Sequence, residues 1–130
     1  MILKHMEKKY ISFDVEASGR TPGKYAMLSL GACIVGEREK TFYREIKPIS
    51  KQFMLEAMRV GCLGLRCLDD LRHNEEYNPK SQHFNPAKVL EVLDKKGGSP
   101  KKVMTDYAHW VLANTKGFRP VEAAAPIKFD

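Results

Sequence analysis

The sequence predicts one α/β domain in which helices cover a mixed sheet of four strands. Three strand-like segments come first, helical patterns follow, and a strand-like segment returns near the end of the 130 residues. Short connections between the first three strands favour an antiparallel arrangement. A strand that returns after helices suits a position parallel to the first strand, reached by a right-handed crossover. A chain of this length forms one domain, here spanning residues 1–130.

The predicted strands are rich in β-branched, aromatic and other apolar residues. The second of them is almost wholly apolar or small, which is typical of a central strand buried on both faces. Two prolines in the fourth weaken its assignment as a strand. The four segments are residues 10–16 (YISFDVE), 26–35 (AMLSLGACIV), 40–46 (KTFYREI) and 118–127 (FRPVEAAAPI).

Capping residues mark the predicted helices. Ser50 is the expected N-cap of the first helix, Asn85 precedes a proline at the start of the second, and Ser99 does the same for the third. Residues 61–84 mix leucines with a polar run, and we expect a mobile loop insertion there. The third helix carries an apolar stripe at helical spacing. That stripe consists of Val103, Met104, Tyr107, Ala108, Val111 and Leu112.

Composition limits the function without deciding it. The 22 Lys and Arg residues exceed the 16 Asp and Glu residues, giving a net charge of +6, which suits either a polyanionic partner or a solvated basic surface. Cys33, Cys62 and Cys67 are odd in number and follow no signal peptide, which favours reduced thiols in the cytoplasm. Their spacing does not match a zinc site. No apolar run has the roughly 20 residues of a membrane helix.

Asp14 and Glu16 are the candidate functional pair. Residues two apart in a strand point to the same face, roughly 7 Å apart. Two carboxylates so placed repel each other unless a cation lies between them, and hard divalent cations such as Mg²⁺ or Mn²⁺ prefer carboxylate oxygens. The plainer alternative is a strand end whose acids reach water. Ser18, Gly19 and Gly23 follow and allow a close turn of the backbone beside a ligand.

Three stretches, "FDVEASG", "MLSLGACIV" and "TFYREIKP", resemble the beginning of the DEDD 3′–5′ exonucleases. That superfamily has a ribonuclease H-like fold and includes ribonuclease T, oligoribonuclease and proofreading exonucleases. The resemblance implies that Asp14 and Glu16 form the first motif and that Asp130, in the final "KFD", belongs to the second. These three acids would be catalytic ligands of two Mg²⁺ or Mn²⁺ ions. Ala17 and Ser18 would lie beside the terminal nucleotide of single-stranded DNA or RNA.

The sequence departs from that family after the second motif. The family continues with a further strand and a helix that carries a His or Tyr and a fourth acid, and nothing follows Asp130 here. We therefore expect a C-terminally incomplete domain, lacking that strand and helix, with weak or absent activity. An open sheet edge would favour a homodimer. The histidines are His5, His73, His83 and His109, and His109 is expected to be a surface or packing residue.

The sequence is also compatible with two other functions. One is a non-catalytic ribonuclease H-like module that binds nucleic acid or a protein. The other is a two-metal nuclease of the same fold that cuts internally. The choice between DNA and RNA depends on contacts to the 2′-hydroxyl that the sequence does not reveal.

Overall fold

The computed structural model describes residues 6–124, in which four strands and three α-helices form one α/β unit. Their order along the chain is the predicted one. The elements are β1 (Lys8–Ala17), β2 (Met27–Ile34), β3 (Glu37–Glu45), α1 (Leu55–Gly61), α2 (Pro86–Lys96), α3 (Pro100–Asn114) and β4 (Arg119–Ala124).

The strands form a single sheet in the order β3-β2-β1-β4. β1 and β3 run antiparallel to β2, and β4 runs parallel to β1. This confirms the predicted mixed sheet of three antiparallel strands and a parallel fourth. Among the described residues β4 is an outer strand, which tolerates Pro120 because no ladder hydrogen bond is required on the free side. A homodimer through this edge stays a prediction.

One face of the sheet is apolar and is covered by α3. Leu30, Phe42 and Ile46 are buried on this face, and they pack against Val103 and Tyr107 of the helix. Trp110 and Val111 extend the contact by one more turn. We call this side of the sheet the apolar face.

The buried stripe of α3 is narrower than the sequence suggested. Met104 is 45% exposed and Leu112 is 65% exposed, so these two members of the apolar stripe do not face the core. The reason is geometric, since a helix lying on a sheet buries the row 103, 107, 111 and leaves the adjacent row at the rim.

A second core gathers α1, α2 and the segment 61–84. Its buried members are Leu28, Met58, Cys62, Leu65, Leu68, Phe84, Val89, Leu90 and Leu93. The segment 61–84 therefore supplies four core side chains, and it contains two 3₁₀ turns, Arg66–Leu68 and Glu75–Tyr77. The apolar side chains spaced along its polar run anchor the segment in this core. Whether it is an insertion stays a prediction.

The helix starts are only partly as predicted. α2 begins with Pro86, and α3 begins after Ser99, whose hydroxyl accepts a hydrogen bond from the Lys102 N–H at 3.2 Å. Ser50 does not cap α1, which begins at Leu55. Its hydroxyl instead donates to the Lys24 carbonyl at 2.7 Å, so it ties the loop before α1 to the loop before β2. None of the helices among residues 6–124 has the length and apolar character needed to cross a bilayer.

Candidate active site

The face opposite α3 carries the predicted pair. Asp14 and Glu16 both lie in the last half of β1 and are partly buried. Across the strands Asp14 is in register with Gly31 of β2, and Gly31 is in register with Tyr43 of β3. Directly opposed residues share a face, so these side chains stand on one surface. We call it the polar face.

A second row on the polar face lies two residues further along each strand. Glu16 is in register with Ser29, and Ser29 with Glu45. Three acids, Asp14, Glu16 and Glu45, therefore share the face. Asp14 and Glu16 lie on β1 and Glu45 lies on β3, so β2 separates the predicted pair from the third acid.

The end of α1 closes over Glu16. A Cβ atom added at Gly61 would lie 3.5 Å from Glu16 Oε2 and 3.2 Å from a methyl carbon of Leu28. Gly61 thus allows the helix to approach β1 closely at the position of the carboxylate. The end of α1 therefore lies beside Glu16, while Asp14 lies one row further from the helix.

Ser18 fixes the loop that follows the two acids. Its hydroxyl accepts from the Ala26 N–H at 2.9 Å and donates to the Gln52 carbonyl at 3.0 Å. Its own N–H donates to the Ala26 carbonyl at 2.8 Å, and its carbonyl accepts from the Met54 N–H at 2.8 Å. Ser18 therefore ties together the end of β1, the start of β2 and the start of α1.

The side chain of Ser18 is engaged within the protein. The residue is completely buried, and its hydroxyl is already engaged by backbone groups, so it does not present a side chain to a ligand. Ala17 is partly buried and lies beside an irregularity in the pairing of β1 with β2. A position of Ala17 and Ser18 beside a terminal nucleotide stays a prediction.

Glu45 is held by hydrogen bonds that sequence reasoning did not foresee. Its carboxylate accepts from the Cys67 N–H at 3.0 Å, from the Arg66 N–H and from the Tyr43 hydroxyl. Burial and the hydrogen bond to Glu45 raise the pKa of Tyr43 above its usual value, so the phenol remains protonated and donates. The alternation of "TFYREI" could have placed Tyr43 and Glu45 on one face, whereas Arg66 depends on the path of the segment 61–84.

The two cysteines near the site lie where burial disfavours the thiolate form. Burial raises the pKa of Cys62 to about 12, with a further contribution from Cys67. Burial and the nearby Glu45 raise the pKa of Cys67 to about 12 as well. Both thiols are therefore protonated at neutral pH.

Two of the predicted metal ligands, Asp14 and Glu16, lie within the described residues and on the same face. Two carboxylates on one face fit the oxygen preference of a hard divalent cation. Within residues 6–124 no group of three or more His, Cys, Asp and Glu side chains is placed to hold a metal ion. Asp130, the expected third ligand, lies outside the described residues. His109 is exposed on α3, as predicted.

Comparison with known proteins adds to this geometry. The chain is similar to a 3′–5′ DNA exonuclease. It is 51% identical over 59 residues to the 3'-5' DNA exonuclease Cap18 of Escherichia coli. The aligned residues make up 45% of this chain and span 32%, about a third, of that protein. No family model matches the chain.

Proposed function

We propose that this chain is a domain of a metal-dependent 3′–5′ exonuclease that acts on the 3′ end of single-stranded nucleic acid. The observation that carries the proposal is the placement of Asp14 and Glu16 side by side on the polar face of the sheet. The similarity to a 3′–5′ DNA exonuclease supports the reaction class.

Asp14 and Glu16 would hold a Mg²⁺ or Mn²⁺ ion, with Asp130 as a further ligand. A divalent ion in such a site supplies an activated water and stabilises the leaving oxygen of a phosphodiester. The residues of the chain position the carboxylates. Gly61 lets α1 approach Glu16, and Ser18 fixes the turn after β1.

The charge balance supports a polyanionic substrate. The chain has a net charge of +6 and a pI near 9.3. Lys and Arg side chains gain free energy from nucleic acid because phosphate releases its condensed counterions when they bind. A divalent ion beside Asp14 and Glu16 would relieve the repulsion between the two carboxylates and the phosphate backbone.

A cleavage assay on 3′-terminal shortening tests the proposal. A 5′-labelled single-stranded oligonucleotide should shorten slowly from its 3′ end in Mn²⁺ and remain intact in EDTA. Asp14→Asn should abolish the shortening, because an amide is a weaker ligand for a hard cation. Asp94→Asn is the matched control, since Asp94 is exposed on α2, and it should cleave as the wild-type chain does. Equal turnover by Asp14→Asn contradicts the proposal.

A second candidate function is a non-catalytic nucleic-acid-binding module of the same fold. The incomplete set of metal ligands among residues 6–124 favours it. It predicts that the wild-type chain and Asp14→Asn both bind oligonucleotide and that neither shortens it. Oligonucleotide binding and cleavage measured on the same preparations therefore separate the two functions.

A further inference from the structure

Arg66 lies over Tyr43 at the margin of the polar face. Its guanidinium carbon is 4.3 Å from the centre of the Tyr43 ring, and the Arg66 side chain is exposed. Stacking on an aromatic ring orients a guanidinium group and leaves its edge nitrogens directed to solvent.

Arg66 is anchored through its backbone. The carboxylate of Glu45 accepts hydrogen bonds from both the Arg66 N–H and the Tyr43 hydroxyl, so one acid fixes the arginine and the ring beneath it. The guanidinium group is therefore held in place by stacking and by the main chain. A cation positioned in advance loses little conformational entropy when it binds an anion.

Two arginines near Arg66 in the sequence, Arg59 and Arg72, use their guanidinium groups within the protein. Arg59 donates to the carbonyls of Pro79 and Ser81, and Arg72 donates to carbonyls in the same segment as Arg66. For Arg66, no hydrogen bond or ion pair of the guanidinium is found within residues 6–124. Its donors are thus open to an external acceptor.

The row of the polar face that leads from Tyr43, beneath Arg66, to Asp14 is only partly covered. Tyr43, Gly31 and Asp14 are in register on three adjacent strands, which places the Cα atoms of Tyr43 and Asp14 about 10 Å apart. Gly31 between them has no side chain to rise from the sheet, and it is only partly buried although β2 is a central strand. Because Gly31 has no side chain, the sheet is low between Tyr43 and Asp14, and we call this strip from Arg66 across Gly31 to Asp14 the trough.

We propose that Arg66, supported by Tyr43, binds a backbone phosphate of single-stranded nucleic acid whose chain crosses Gly31 toward Asp14 and Glu16. The inference deepens the proposed function and rests on the same site. The guanidinium group supplies paired N–H donors that match two phosphate oxygens, and the trough accommodates an extended strand. Arg66 would act in binding and positioning rather than in the chemical step.

Oligonucleotide binding in EDTA tests this inference without any cleavage. The probe is a short fluorescein-labelled oligothymidylate, measured by fluorescence anisotropy over a series of salt concentrations. Arg66→Met should raise Kd about tenfold and lower the slope of log Kd against log salt by about 1. Arg66→Lys keeps the charge but loses the paired donors, so its Kd should fall between those of the wild-type chain and Arg66→Met.

Arg38→Met is the matched control for charge and side chain. Arg38 is exposed on β3, five residues and about 17 Å along the strand from Tyr43. It should change Kd less than about twofold, since one distant surface charge is screened. Thermal melting of each variant checks that the fold is intact.

The outcomes separate the inference from the proposed function. If Arg66→Met and Arg38→Met raise Kd equally, the inference is wrong, even if the wild-type chain shortens oligonucleotides. If Arg66→Met alone weakens binding and no shortening occurs, the inference stands and the proposed exonuclease activity fails. If the wild-type chain does not bind the oligothymidylate even at low salt, the inference is overturned.

Discussion

The two faces of the sheet are built from the same strands and differ in what covers them. On the apolar face Leu30 and Phe42 are buried beneath α3. On the polar face Gly31 and Tyr43, their immediate neighbours in sequence, stay partly exposed. Because strand side chains alternate, each strand contributes to stability with one residue and to the site with the next. Mutations at adjacent positions should therefore have separable effects.

Leu30→Ala should have the largest effect on stability. Leu30 is 2% exposed and packs in the core beneath α3, so its removal leaves a cavity. The free energy of unfolding should fall by about 2–5 kcal/mol, measured by urea denaturation. Val35→Ala is the control on the same chain, since Val35 is 58% exposed and should change stability by about 0.5 kcal/mol or less. Equal losses at both positions would contradict the assigned core.

Ser18→Ala should reduce stability by about 1–3 kcal/mol, because the buried Ala26 N–H loses its acceptor. Ser50→Ala is the matched control, since the Ser50 hydroxyl bonds in an exposed loop. Urea denaturation should show a clearly smaller loss for Ser50→Ala. If the free energy of unfolding falls less for Ser18→Ala than for Ser50→Ala, the hydrogen bonds of the Ser18 hydroxyl do not stabilise the fold as described.

Gly31→Val should weaken oligonucleotide binding about tenfold with little change in stability. A Cβ at this position would meet Tyr43 Cδ1 at 3.7 Å, an ordinary van der Waals distance, and valine favours strands. The added methyl groups would obstruct the trough between Asp14 and Tyr43. Anisotropy and melting on the same variant measure both effects. Gly64→Val, at a position with no neighbour within 4 Å, should leave binding unchanged.

Gly61→Ala should have the smallest effect on stability and a selective effect on cleavage. Alanine favours the helix by up to about 1 kcal/mol, which offsets mild crowding against Leu28. The same Cβ would lie 3.5 Å from Glu16 Oε2, an ordinary van der Waals contact that reduces the space in which the carboxylate can move, so 3′-end shortening should slow while the urea midpoint stays nearly constant. Unchanged cleavage would indicate that the position of Glu16 is not limiting.

The sequence was sufficient to predict the strand order and that Asp14 and Glu16 share one face of β1. Both follow from connection length and from the alternation of side chains along a strand. It could not predict the group of Tyr43, Glu45 and Arg66, since that depends on strand register and on the path of the segment 61–84. It misassigned Ser50 for a related reason. A serine before a helical pattern is a good local cap, but its hydroxyl bonds to a loop distant in sequence.

Metal-dependent melting is the most direct test of the claim that the polar face holds a cation between its acids. A ligand that binds only the folded chain raises its melting temperature as concentration increases. Mn²⁺ should raise the melting temperature of the wild-type chain and of Asp94→Asn, and it should not raise that of Asp14→Asn. An equal rise for Asp14→Asn, or no rise for the wild-type chain, would contradict the account.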